Sequence, residues 1–465
     1  MRSESSALQK WICFVFVLAE MTWSAFPARG ADASGQASSS IWQWDHLTND
    51  WNGNRTALEN KGIKLTLNYI SEAMDVASGG VRQGAAYEGR LDINLDLDFE
   101  KMGVWPGGSG HVTVYQIHDL NDRNIADEVG SLGDPSNIDA LPTTRLFTAW
   151  LQQTFAGGSF IKFGQVSADE DFATSNSAGK LLNGAFGWPV LFASDMTSGG
   201  PAYPLATLGA VSGLYLKPQL VVRGGLFSGN PAGGGCQDDP QVCDRHGTTF
   251  SSTGGALLMA ELAYELNPDG EADGPSISYK LGGWYHTNKF ADERYGLSGS
   301  GNVVSLASSE ALSPIMRAGN WGVYALVDRT IYQGGDNEIS AFLRGQFAPS
   351  DRNLVAWGVD AGLAFTGVLP SRKDDTLTLG VSHSGISRAA AGLDKDTAAE
   401  TGTAYPVRSG ETIFEVSYDF APAPWLNIQP DIQYIIHPGA GAADDSTGKA
   451  TPNAFIFGVR STIDF

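Results

Sequence analysis

Nowhere in its 465 residues does the chain carry about 18 consecutive apolar residues, so no segment can cross a bilayer as a helix. Cysteine is nearly absent, with Cys13, Cys236 and Cys243 alone. That rules out a disulfide scaffold, and no histidine pair stands beside them at the spacing zinc requires. Basic residues are scarce as well, 30 Lys and Arg against 51 Asp and Glu, for a net charge of −21. Such a balance repels phosphate backbones and removes nucleic acid from the partners. There is no Gly-x-Ser-x-Gly elbow, no His-Glu-x-x-His pair and no Walker A loop, so the common hydrolase, metalloprotease and nucleotide-binding signatures are missing. No cofactor and no metal are expected.

What the chain has in quantity is turn formers and rings: 57 glycines, with 22 phenylalanines, 14 tyrosines and 12 tryptophans. Its first thirty residues read as an export signal. Arg2 and Lys10 precede a nine-residue apolar run, Trp11 to Ala19, and the small residues of "ARGA" offer cleavage near Gly30. Removing residues 1–30 takes three basic and two acidic residues and leaves the mature chain at −22. Export places Cys236 and Cys243, which bracket the turn-rich "CQDDPQVC", in an oxidising compartment where a stapled surface loop is the expectation. The acidic pair Asp238 and Asp239 inside it could attract a cation, but spacing alone shows no cage of oxygen ligands.

The segment "RLDINLDLDF", Arg90 to Phe99, has an apolar residue at every second position and Asp92, Asn94, Asp96 and Asp98 between them. That is the period of a strand with one dry face and one wet face. The same alternation recurs in 63–69, 256–266, 412–420, 425–436 and the closing "TPNAFIFGVRSTIDF", where Phe455, Phe457, Val459, Ile463 and Phe465 share a face. Further strands are expected within 145–155, 159–166, 213–227, 276–286, 321–331, 338–347, 354–366 and 376–383, separated by Gly/Asp/Ser/Pro runs. A single helix is expected, before Ile63, with Asp45 or Thr48 as N-cap and Gly62 closing "RTALENKG". Everything after Ile63 reads with period two. Aromatic residues facing outward at both ends of a strand suit the girdles of a membrane barrel better than a soluble sandwich. The expected architecture is all-β, an outer-membrane antiparallel barrel, divided as signal 1–30, lead and helix 31–62, and barrel 63–465.

Four blocks in order, "LTNDWNGNRTALENKGIKLTLNY", "GQVSADEDFATSNSAGKLLNGAFGWP", "PAYPLATLG" and "FEVSYDFAPAPWLNIQPDIQYIIHPG…NAFIFGVRSTIDF", resemble the carbohydrate-selective porins of the OprB family over nearly all of residues 41–465. The resemblance implies about 16 strands in the bacterial outer membrane with the short helix near the periplasmic end. It also implies passive uptake of monosaccharides such as glucose through a constriction lined by charged and aromatic side chains. Outer-membrane lipid would be one partner. The assembly machinery that reads the terminal strand ending at Phe465 would be another, with a homotrimer as the candidate assembly. The insert "GNPAGGGCQDDPQVCDRHG" is not covered by the resemblance.

Strand phase nominates lining residues. Arg90, Asp92 and Asn94 share a polar face, and an arginine held beside a carboxylate can donate to sugar hydroxyls. A solvated wall residue is the plainer reading for each aspartate. In "RLFTAWLQQTF", Phe147, Ala149 and Leu151 take the lipid phase and turn Trp150 and Gln152 inward, unless a bulge shifts the register. The block from Ser167 to Pro189 lacks alternation and reads as a loop, and Asp169, Glu170, Asp171, Asn176, Asn183 and Trp188 are its constriction candidates, with Trp188 as a stacking surface. An ordered external loop is the rival for that block. For the chain, the rivals are a general cation-preferring pore, a carbohydrate-binding β protein, and a carbohydrate-active enzyme, whose paired carboxylates would need a set separation.

Overall fold

The computed structural model describes residues 40–268, 274–444 and 447–465; the export signal read at 1–30 and most of the lead lie outside them. The strands are β1 (Ile63–Ser78), β2 (Gly84–Asp98), β3 (Gly108–Asp119), β4 (Thr143–Thr154), β5 (Phe160–Val166), β6 (Thr207–Lys217), β7 (Leu220–Ser228), β8 (Ala256–Leu266), β9 (Ile277–Ser298), β10 (Val303–Ser305), β11 (Ala311–Gly334), β12 (Asn337–Phe347), β13 (Val355–Thr366), β14 (Thr376–Ile386), β15 (Gly410–Ala423), β16 (Leu426–Ile436) and β17 (Ala454–Asp464). Each pairs antiparallel with its neighbour, and β1 pairs with both β2 and β17, so the sheet closes on itself. Sixteen strands make the ring; β10 adds only to the far end of β9. Closure leaves no sheet edge, which hydrocarbon would not tolerate.

Connections at one end are short, as at 218–219, 335–336 and 424–425, while the other end carries 120–142, 167–206, 229–255 and 387–409. Short turns on one side and long loops on the other are the pattern of an outer-membrane barrel. The alternation expected of "RLDINLDLDF" holds: Leu91, Ile93 and Leu95 register against Tyr69, Leu67 and Leu65 on the outer face. Around the ring, large apolar side chains point outward into a continuous belt, among them Leu226, Leu258, Leu281, Val323, Leu343 and Phe457. Leaving each in water would forgo about 1.5–3 kcal/mol. Lipid removes that cost. Tyr264 and Tyr279 stack on the short-turn side of the belt, and Trp321, Phe347 and Trp357 stand exposed on the loop side, the two levels at which amphipathic rings settle. Phe455 and Phe457 are 37% and 48% exposed on that belt.

Several expectations need correction. The stretch 213–227 is two strands with a two-residue turn, and 108–119, too rich in polar residues on both faces to be singled out, is strand β3. The helix before Ile63 runs Asn54–Glu59 behind Gly53, not from Asp45 or Thr48. Asp50 instead accepts the Thr56 N–H at 2.8 Å, and Thr48 accepts the Trp51 indole N–H. Nor is it the only helix of note. Residues Arg388–Thr401 form fourteen residues of helix, with Ser387 capping Ala390 N–H and Gly402 in the left-handed region. Alanine-rich "RAAAGLDKDTAAET" has high helix propensity but little apolar periodicity, so an amphipathic pattern could not reveal it. At the short-turn end, Arg55 donates to the Phe465 carbonyl at 2.6 Å, and the Phe465 N–H reaches Leu67 O at 2.9 Å.

Candidate functional site

The inner wall is polar, and much of that polarity is spent on loops that fold inward. Residues 167–206 fold into turns and short helices of one or two turns, whose end N–H and C=O groups need partners once taken out of water. The wall supplies them. Glu261 accepts Ala173 N–H at 3.0 Å; Asp328 accepts Ser177 N–H at 2.9 Å and both the Ser175 and Ser177 hydroxyls; Glu415 accepts the N–H groups of Leu182 and Asn183. Arg344, 1% exposed and paired with Asp360 at 2.8 Å, donates to the carbonyls of Ala185, Ala173 and Gly187. Leu181 and Phe186 pack on Phe342, and a side chain at Gly380 would collide with both loop residues. The loop therefore lies against the β8–β16 side of the barrel.

A second inward loop, 120–142, is held by Glu411, which accepts from Ser131 Oγ and from the N–H groups of Leu132 and Gly133. It meets the first where Asn137 N–H donates to Leu182 O at 2.7 Å. Between the two loops lies a cavity of about 400 Å³, lined by Asp134, Asn137, Asp139, Asp169, Trp188 and Tyr203 among others, with no lysine or arginine. Trp188 donates its indole N–H to Gly199 O at 3.0 Å and sets its ring edge-to-face on Phe192 at 4.9 Å, so the orientation of the cavity wall is fixed from behind. Asp169 accepts Tyr203 N–H at 2.9 Å and the Ser167 hydroxyl.

The opposite wall carries the strand candidates. Arg90 clasps Asp92 through two hydrogen bonds, 2.6 and 2.9 Å, and lies 4.5 Å from the Tyr115 ring and 4.8 Å from the Tyr203 ring. A guanidinium so held keeps its orientation with its charge largely compensated. Nearer the short turns, Trp150 stacks on His111 at 5.0 Å, Lys162 sits 5.1 Å over its ring, and Lys162 pairs with Asp171 at 2.6 Å and Glu170 at 3.7 Å. Asn94 accepts Thr113 Oγ1 at 2.7 Å, and Gln152 reaches Thr154.

Not every candidate meets the lumen. Asn183 is fully buried, capping Ala185 N–H and bonding Gln433, so it is a pin for the loop. Asn176 donates to Pro268 O beside the short turns, while its neighbours Thr174 and Ser175 line the cavity. Phe147 does not take the lipid phase. A bulge between Thr113 and Val114 turns it inward, where it stacks on Tyr115 at 4.9 Å. Tyr203 on 167–206 and Asp134, Asn137 and Asp139 on 120–142 escaped sequence reasoning; the signal was length, since connections of 40 and 23 residues with no strand of their own are seldom plain turns. Cys236 and Cys243 are joined in a disulfide. Among the described residues, no group of three or more His, Cys, Asp or Glu side chains could hold a metal ion.

Burial lifts the Asp139 and Glu170 carboxyls to about 7, against the pull of Lys162 in the second case. Glu170 is neutral below that pH and anionic above it. Raising pH from 6 to 8 should therefore increase cation over anion permeability, read as a reversal potential across a KCl gradient; Glu170→Gln should reduce the response, and adding Asp139→Asn should flatten it.

The family model described as "Carbohydrate-selective porin, OprB family" matches residues 82–465. Porin B of Pseudomonas aeruginosa is 24% identical over 453 residues, covering 89% of this chain and 90% of that protein. Putative porin QuiX of Acinetobacter baylyi is 22% identical over 447 residues, covering 91% and 93%. The high-pH structure of Pseudomonas putida OprB superposes with a TM-score of 0.78 at 22% identity, covering 92% of this chain and all of that one.

Proposed function

The chain belongs to the OprB family of carbohydrate-selective porins of the outer membrane, and from that premise we propose that it admits monosaccharides such as glucose by passive diffusion through the cavity between its inward loops. The observation that carries this reading is the lining. A sugar presents hydroxyl rims and apolar C–H faces, and the cavity pairs the rings of Phe186, Trp188 and Tyr203 with the carboxyl and amide groups of Asp134, Asn137, Asp139 and Asp169. Flux requires that binding stay weak. The site is wide enough to hold a solute without enclosing it, and Arg90 and Trp150 offer successive contacts along the wall.

In planar bilayers, millimolar glucose should reduce the ion current of the open channel, and Trp188→Ala should remove most of that block while leaving the current itself intact. Current unmoved by glucose would favour the general cation-preferring pore, a reading that the acidic cavity and the net charge of −21 also suit. Liposome swelling across pentoses, hexoses, disaccharides and charged amino acids would rank the substrates.

A further inference from the structure

The inner wall holds its arginines in a consistent way, with one exception. Arg90, Arg223, Arg344 and Arg460 each lie against a carboxylate of the wall. Arg145 on β4 also faces inward, yet among the described residues it makes no salt bridge. It is 1% exposed, its Nη2 donates to the carbonyls of Asp244 at 2.5 Å and Arg245 at 3.3 Å, and its Nε and Nη1 are buried without partners. Carbonyl oxygens orient a guanidinium but do not cancel its charge, and the carboxylates within electrostatic reach, Asp244 and Asp239, both belong to the segment lying over it. A buried cation is costly unless its charge is answered, and here the covering segment supplies both the acceptor carbonyls and opposite charge.

That segment is the disulfide-closed insert. Gln241 accepts Leu141 N–H at 2.8 Å, Leu146 N–H donates to His246 O at 3.0 Å, and Gln165 donates to Gly247 O at 2.9 Å, so residues 241–247 run as a strap along the start of β4. Asp244 folds the strap by accepting from Thr248 N, Thr249 N and Thr249 Oγ1. Gly247 lies in the left-handed region, and a Cβ there would run into the Leu146 carbonyl, so the approach is as close as the chain permits. The Cys236–Cys243 bond closes the loop immediately before Asp244. Gln241 and Tyr203 both line the constriction cavity, and Tyr203 is within electrostatic reach of Arg145.

We propose that the strap at 236–247 is a charge mask: by covering Arg145 it leaves the sugar path without an unpaired cation, and the channel passes neutral saccharides in preference to sugar acids. The proposal rests on the sugar-channel reading and adds a residue-level cause for its preference. Without the strap, Arg145 would present an unanswered charge beside Tyr203, which lines the path, and that is worth roughly a tenfold change in anion partition.

The test compares entry of glucuronate and glucose into liposomes carrying the full-length barrel. Gly247→Val lifts the strap from β4, and Asp244→Ala, which loosens the same segment and removes a carboxylate within electrostatic reach of Arg145, is the second route should the first variant fail to fold. Either should raise the glucuronate-to-glucose ratio roughly tenfold, and adding Arg145→Gln should return it to the starting value. A ratio unchanged by both loosened forms overturns the mask. So does a rise that persists in the Arg145→Gln background, because the aperture would then merely have widened. Glucose exclusion by the unmodified protein would instead defeat the sugar-channel reading, and the two failures are thereby told apart.

Discussion

Replacing Arg344 by alanine is expected to destabilise the barrel by about 3–5 kcal/mol and to widen the pore, because it strips three carbonyls of the inward loop of their donor and leaves Asp360 buried without its cation. The two effects are separable. Urea unfolding in lipid reads the first, and single-channel conductance reads the second, with a rise in conductance and the appearance of noise as the loop leaves its wall. Arg344→Lys should restore the charge beside Asp360 but not the fan of bonds to Ala173, Ala185 and Gly187, since an ammonium lacks the planar fork. Its conductance should therefore stay high while its stability partly recovers. If both variants keep the native conductance, the loop is not held from the wall in the way described.

One residue earlier the expected outcome has a different cause. Leu343 is 53% exposed near the middle of β12, on the outer belt. Leu343→Arg should cost about 2–4 kcal/mol in a bilayer, measured by the same unfolding titration, with no change in the conductance of molecules that do insert. On a water-facing surface this substitution would fall within about 0.5 kcal/mol of neutral. The result thus reports directly on what surrounds the belt.

These neighbours also mark what was legible in the sequence. Leu343 and Arg344 differ by one position in a period of two, and hydrocarbon on one side and water on the other enforce that period locally. Strand phase and the outward Phe455 and Phe457 follow from it, as does the inward aim of Arg90, Trp150 and Gln152, whereas closure into a ring is signalled by the girdle aromatics and the family resemblance. The inward loops obey no period. Glu415 holds Leu182 from 233 positions away and Glu411 holds Leu132 from 279, and nothing local announces either bond. So the block around Asp169 and Trp188 could be recognised as irregular, while the fully buried role of Asn183 and the partnership of Tyr203 with Asp169 could not. Phe147 was misplaced for a narrower reason. A bulge inserts one residue and reverses the phase beyond it, and an apolar side chain suits the stacked position on Tyr115 as well as it suits lipid.

The loops form a bank that takes most of its tethers from β8 to β16, while Arg90, Tyr115, Trp150 and Lys162 on β2 to β5 form a staircase that meets the bank at Tyr203, Glu170 and Asp171. Bore and taste then reside in different parts of the chain. Changes in the bank can tighten or relax the opening while the staircase keeps its chemistry, and changes in the staircase can retune which solute lingers without altering how much room it finds. A lineage built on this plan could shift diet one flank at a time.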